Sequence, residues 1–128
     1  MAGEHSYLKT HQLSGTGLIA DAIDEAVDLL DKARASASGR AAKTLVKNGP
    51  LRITLIAMRK GAAAKRHHVE GPATIQIMRG RLRITTPRGC EDLRSGTLYA
   101  LAAAVEHSHE ALTDCVALLT IAEPKARG

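Results

Sequence analysis

The sequence predicts an all-β fold with one amphipathic helix packed outside it. Three observations lead to this. From residue 39 onward, about eight short runs rich in Val, Ile, Leu and Thr recur at roughly ten-residue spacing between turn residues, the pattern of a sandwich or barrel. Ahead of them lies a single segment with the 3.6-residue apolar period of a helix. No long helical patterns alternate with the strands, which argues against a parallel α/β sheet.

Taken in order, residues 1–15 are polar, carry His5 and His11 at no ligand spacing, and read as a flexible arm. Residues 16–38 form the helical segment. Leu18, Ile19, Ile23, Ala26, Val27, Leu30 and Ala33 recur on one side, with Asp21, Asp24, Glu25, Asp28 and Asp31 between them. Acidic residues lead and Lys32 and Arg34 close the segment, which suits the helix dipole. Ser14 or Thr16 is placed to cap its start, and Gly39 suits the left-handed position that ends it. Such a helix covers one face of a sheet, the simpler reading, or serves as a dimerisation or lid helix.

Residues 39–122 make up the β-domain. Runs at 42–46 and 51–58 flank Asn48-Gly49-Pro50, and Lys60-Gly61 interrupts the pattern. Runs at 73–79 and 81–86 flank Gly80, and a turn at 87–89 leads into 90–93. Ser95-Gly96 leads into 97–101, and 107–112 and 115–121 flank Thr113-Asp114. Residues 123–128 are a charged tail.

The chain has 128 residues, the size of one domain able to bury its own core. No apolar run approaches a membrane span, and the first residues lack the layout of a secretory signal, so the sequence reads as a soluble cytoplasmic protein with no membrane partner. Cys90 and Cys115 are too few and too far apart for a disulfide framework or a paired-thiol zinc site. The net charge of +5 raises the question of an anionic partner. The basic residues are scattered, however, and with no Phe or Trp and only Tyr7 and Tyr99 the chain lacks the stacking platforms of single-stranded nucleic-acid binders. Nucleic acid is therefore not an expected partner.

Two histidine pairs stand out, His67-His68 and His107-Ser108-His109. Gly61 precedes His67 by five intervening residues, and Gly80 closes that stretch. Gly96, five residues, Ala102, then Ala104 and His107 repeat a second spacing. Both spacings, in this order, resemble the two motifs of the small single-domain cupins, G-x5-H-x-H-x3/4-E-x6-G and G-x5-P-x-G-x2-H-x3-N. The resemblance covers residues 51–121 and implies an RmlC-like jelly-roll barrel with the helix as an N-terminal extension. It departs from the pattern at Val69 and Ala73, where the family has a histidine and a glutamate, and at Ala102 and Ala104.

What the resemblance implies for the site follows those matches and departures. His67 and His107 stand at metal-ligand positions for a divalent ion such as zinc, iron, manganese or nickel. His109, two residues beyond His107, shares its strand face. His68 and Glu70, in the loop ahead of the next strand, are additional candidate ligands. Ile75, Ile77 and Leu98 are expected as pocket walls and Tyr99 at the rim. A small cupin of this kind binds a divalent metal, a small anionic metabolite, or both. The alternative is a metal-dependent dioxygenase, isomerase or decarboxylase acting on a small organic acid. A metal-free pocket, in which the histidines bond to each other, to water or to an anion, is equally open. The family also implies a homodimer. Strand parity puts Gln76 with Thr74 and Met78 on the face opposite Ile75 and Ile77 unless a bulge intervenes. Arg81 and Arg83 share a face and, with Arg79 nearby, read as a solvated or subunit-facing stripe or, alternatively, as a cradle for a carboxylate or phosphate.

Overall fold

A computed structural model of the chain describes residues 16–124, except the side chains of Arg66 and His67; the arm at 1–15 and the end of the tail at 125–128 lie outside the described residues. Among the described residues there are one helix, α1 (Ala22–Ala35), and nine strands. The strands are β1 (Arg40–Asn48), β2 (Leu51–Met58), β3 (Ala63–His67), β4 (Ala73–Arg79), β5 (Arg81–Thr86), β6 (Gly89–Arg94), β7 (Leu98–Leu101), β8 (His107–Ala111) and β9 (Cys115–Ala122). No helix among the described residues is long and apolar enough to cross a membrane.

The helix is shorter than its apolar period suggested because its first turn is capped from within. Asp21 is extended and its side chain accepts the Asp24 amide at 3.0 Å, so the cap falls at Asp21 and not at Ser14 or Thr16. At the other end Ser36 returns to extended backbone, and Gly39, with φ +72°, turns the chain into β1.

The strands form two sheets, ordered β1-β2-β9-β4-β7 and β3-β8-β5-β6. They are separate hydrogen-bonded units, so the jelly roll is a sandwich and not a ring of continuously paired strands. β3 has no counterpart among the expected strands. Its sequence, AAKRH, does not alternate apolar and polar residues, and only pairing with β8 holds it extended. Between the sheets lies one core, with Met58, Ile75, Ile77, Leu82, Ile84 and Leu101 among its members. A second core lies outside, where Leu29, Leu30 and Ala33 of the helix pack on Leu45, Leu55, Ala57 and Val116 of the five-stranded sheet. Alternate residues of β2 thus serve opposite cores, as the period of two requires.

Cys115 belongs to the inter-sheet core, and burial pushes its thiol up to about 11, while Cys90 is exposed. Arg83 makes a two-point bond to Asp92 at 2.7 and 3.1 Å, across neighbouring strands.

Asp114 ties three parts of the chain together. Its carboxylate accepts the Lys60 amide at 2.8 Å and Arg34 Nε at 2.9 Å, joining the β2–β3 connection, the last turn of α1 and the β8–β9 turn. The Lys60 amide first, and Arg34 second, hold its carboxyl below the ordinary value of 3.8. A carboxyl lowered in the folded state contributes stability that is complete above the unfolded value and is lost as pH falls through the folded one. Asp114→Asn is therefore expected to be less stable than the wild type at neutral pH, with the gap closing in acid. Urea midpoints at neutral pH and below the carboxylate range check this; a gap independent of pH would assign the loss to something other than the charge.

Candidate functional site

The sequence of β8, His-Ser-His-Glu-Ala, alternates by chemistry as well as by burial. His107, His109 and Ala111 are buried, at 4%, 7% and 1% exposure, while Ser108 is half-buried and Glu110 exposed. Both imidazoles therefore face inward, one strand period apart, with ring centroids at 5.1 Å and planes 22° from parallel. Nδ1 of His107 lies 3.0 Å from the Val105 carbonyl. A carbonyl only accepts, so this contact requires the proton on Nδ1, and in the neutral ring it leaves the lone pair on Nε2.

β8 lies between β3 and β5, and the register sets what surrounds each histidine. The His109 backbone is paired with Ala64 on one side and Ile84 on the other; the backbones of His107 and His67 face each other across a bulge in β3. Ala64 leaves room beside His109. There a cleft of about 380 Å³ opens between the edges of the two sheets, lined by Ser38, Arg40, Ile56, Met58, Ala64 and His109. Behind it, Ile75, Leu82, Cys115, Leu119 and His109 surround a void of about 10 Å³, no larger than one water-sized space. His109 stands where the open cleft meets the closed interior.

The other expected site residues are distributed as follows. His68 and Glu70 do not line this cleft. With Arg52, Val69, Ile121 and Glu123 they line another, of about 300 Å³. Ile75 is a wall of the interior void, Ile77 is 1% exposed within the inter-sheet core, and Tyr99 packs half-buried against that core. Leu98 is not a pocket wall. It is 58% exposed on the outer face of the five-stranded sheet, because Tyr99 and Leu101 alternate with it in strand parity and Leu101 is the buried one. Arg40 and Ser38 went unrecognised in the sequence. They meet His109 only across the gap between sheets, and the one local signal is that Ser38-Gly39-Arg40 carries the chain from helix to first strand.

Among the described residues no three His, Cys, Asp or Glu side chains come together in a group able to hold a metal ion. The side chain of His67, the third histidine of the expected set, lies outside the described residues. The two imidazoles of β8 alone are fewer than the three or four protein ligands that zinc ordinarily takes.

No family model matches the chain, and no curated protein matches it. Solved structures do. A conserved protein of unknown function from Streptococcus pyogenes matches at 22% identity over 88% of this chain and 93% of its own, with a TM-score of 0.68. A cupin superfamily protein from Desulfitobacterium hafniense matches at 16% identity over 66% of this chain and 78% of its own, with a TM-score of 0.64. An oxalate decarboxylase variant from Bacillus subtilis matches at 20% identity over 59% of this chain and 22% of its own, with a TM-score of 0.55. At these identities the likeness is one of fold, and the fold is that of a small cupin domain.

Proposed function

We propose that this cupin-fold domain binds a small organic acid in the cleft between the sheet edges. Arg40 and His109 would meet its carboxylate, and Ile56 and Met58 its carbon skeleton. The observation that carries this reading is the lining itself, which brings Arg40 and His109 together with the apolar side chains of Ile56 and Met58. A volume of about 380 Å³ is in the range of small-ligand sites, which pair apolar walls with a few placed polar groups. The net charge of +5 favours an anion on approach. One neighbour in fold is an oxalate decarboxylase, whose name points to a small carboxylate substrate; the reading for this chain is binding, with no reaction attached.

A second reading has one observation in its favour. The β3–β8 ladder pairs the backbones of His67 and His107, with His109 following on β8. A divalent ion such as zinc, iron, manganese or nickel held by these three histidines would have positions left for a substrate.

A thermal-shift screen with small mono- and dicarboxylates tests the first reading. The melting temperature should rise saturably by mass action, by the equivalent of about 2.7 kcal/mol at a hundredfold excess over the dissociation constant. Arg40→Ala should weaken binding about ten- to hundredfold, the worth of one charge-assisted hydrogen bond. A wild type that responds to no carboxylate rejects the proposal. Metal content after reconstitution, compared with His107→Ala, decides the second reading: equal content in both proteins would count against it.

A further inference from the structure

The cleft beside His109 and the small void behind it have Ile56, Met58 and His109 in common. The register of the five-stranded sheet explains why. Arg40 of β1, Met58 of β2 and Cys115 of β9 are Cα partners in one row, and Ala42, Ile56 and Ala117 form the next row on the same face. Each row crosses from cleft to void. Arg40 and Ala42 line only the cleft, Cys115 and Ala117 line only the void, and the β2 residue between them lines both. Met58 and Ile56 are therefore a partition one strand thick, about 5 Å. His109 completes it from the other sheet.

Exposure falls along the first row: Arg40 is exposed, Met58 is 2% and Cys115 1% exposed. Chemistry changes along it as well. Among the described residues that line the cleft, Arg40 is the one cation, and past the partition the void is bounded by Ile75, Leu82, Cys115, Ala117 and Leu119. A carboxylate held by Arg40 and His109 uses both polar partners. A second carboxylate, carried inward on the same molecule, would lie against Ile56 and Met58 and be buried unpaired, which is costly. An apolar tail meets no such cost. It would end at Met58, the direct neighbour of Arg40 in the ladder. Ile56 beside it is β-branched and stiff, whereas the unbranched thioether arm of Met58 adapts to what is pressed against it.

We propose that the ligand of this cleft is a monocarboxylic acid with an unbranched apolar tail, and that Met58 is the stop that sets the length of that tail. The proposal rests on the reading of the cleft as an organic-acid site and narrows it to one class of acid.

Calorimetric titration of the full-length chain with the straight-chain acids from acetate to octanoate tests this. Wild-type affinity should rise about fourfold with each added methylene, the worth of burying one CH2 group, and stop rising where the tail reaches Met58. In Met58→Ala the rise should continue for about three more carbons, the number of non-hydrogen atoms removed from the side chain. The space so opened joins the apolar void, and such a cavity stays dry and accepts an apolar ligand. Succinate and glutarate should bind at least about tenfold more weakly than butanoate and pentanoate, because their second carboxylate finds no partner. Met58 is a core residue, so circular dichroism is read first. If the alanine variant does not fold, Ile56→Val carries the test: losing one methyl from the partition, it should bind the first acid beyond the wild-type limit about fourfold more tightly. A limit that stays at the same carbon number in a folded variant, or dicarboxylates that bind as tightly as their monocarboxylate counterparts, overturns the proposal and leaves the cleft reading standing. A wild type that binds none of these acids, or an Arg40→Ala variant that binds them as tightly as the wild type, rejects the cleft reading itself, and the role of Met58 falls with it.

Discussion

Leu30→Ala is expected to lower the stability of the folded chain by about 2–5 kcal/mol, the usual cost of emptying a well-packed aliphatic site. Leu30 is 1% exposed and lies in the core between α1 and the sheet, with Leu45, Leu55 and Val116. A helix of 14 residues is marginal alone in water, so its persistence depends on this contact more than on its own propensity. The loss is large beside a typical total of about 5–15 kcal/mol. Ile23→Ala, on the exposed flank of the same helix, should cost within about 0.5 kcal/mol. Urea midpoints of the two variants decide the matter: equal losses would mean that the helix is seated on the wrong face.

Gly80→Ala should be nearly as severe, for a different reason. Gly80 joins β4 of one sheet to β5 of the other and has φ +80°, a left-handed conformation that costs an L-residue about 1–2 kcal/mol. A methyl group there would also meet the Asp114 carbonyl oxygen and come within 2.7 Å of Thr113 Oγ1. That hydroxyl accepts the Arg81 amide at 3.0 Å, so the β8–β9 turn cannot retreat without breaking it, at about 1 kcal/mol for each hydrogen bond lost. Gly49 offers the control. Its φ is +56° but a methyl group there meets nothing within 4 Å, so Gly49→Ala should show the backbone cost alone. Equal shifts in melting temperature for the two variants would refute the close-approach argument.

These two residues also show what was legible in the sequence. Gly80 was readable as the closing glycine of a spacing pattern between two strand runs, but the approach of Asp114 and Thr113 that bars a side chain there was not, because they lie far away in sequence. Leu30 was readable as apolar and helical. That Leu29 and Leu30 are buried while Ile23 and Val27 are exposed was not readable, because the apolar stripe is broader than the face one sheet can cover. The inward pairing of His107 and His109 followed from the strand period once β8 was placed. β3 was missed because its extended form comes from its partner and not from its own residues. Leu98 was assigned to the pocket although one step of parity turns it outward, and Arg40 was overlooked because it meets His109 only across the gap between sheets. Chemistry within one strand is written locally, whereas the facing of two sheets is not.

The burial of Cys115 gives the molecule an internal clock. A thiol raised to about 11 has almost no thiolate at neutral pH, and as part of the inter-sheet core it is shielded from reagents. Cys90, exposed at the start of β6, reacts from the folded state and sets the reference rate. Alkylation of Cys115 then proceeds only while the sheets are parted, so the ratio of the two labelling rates counts the openings of the sandwich without any denaturant.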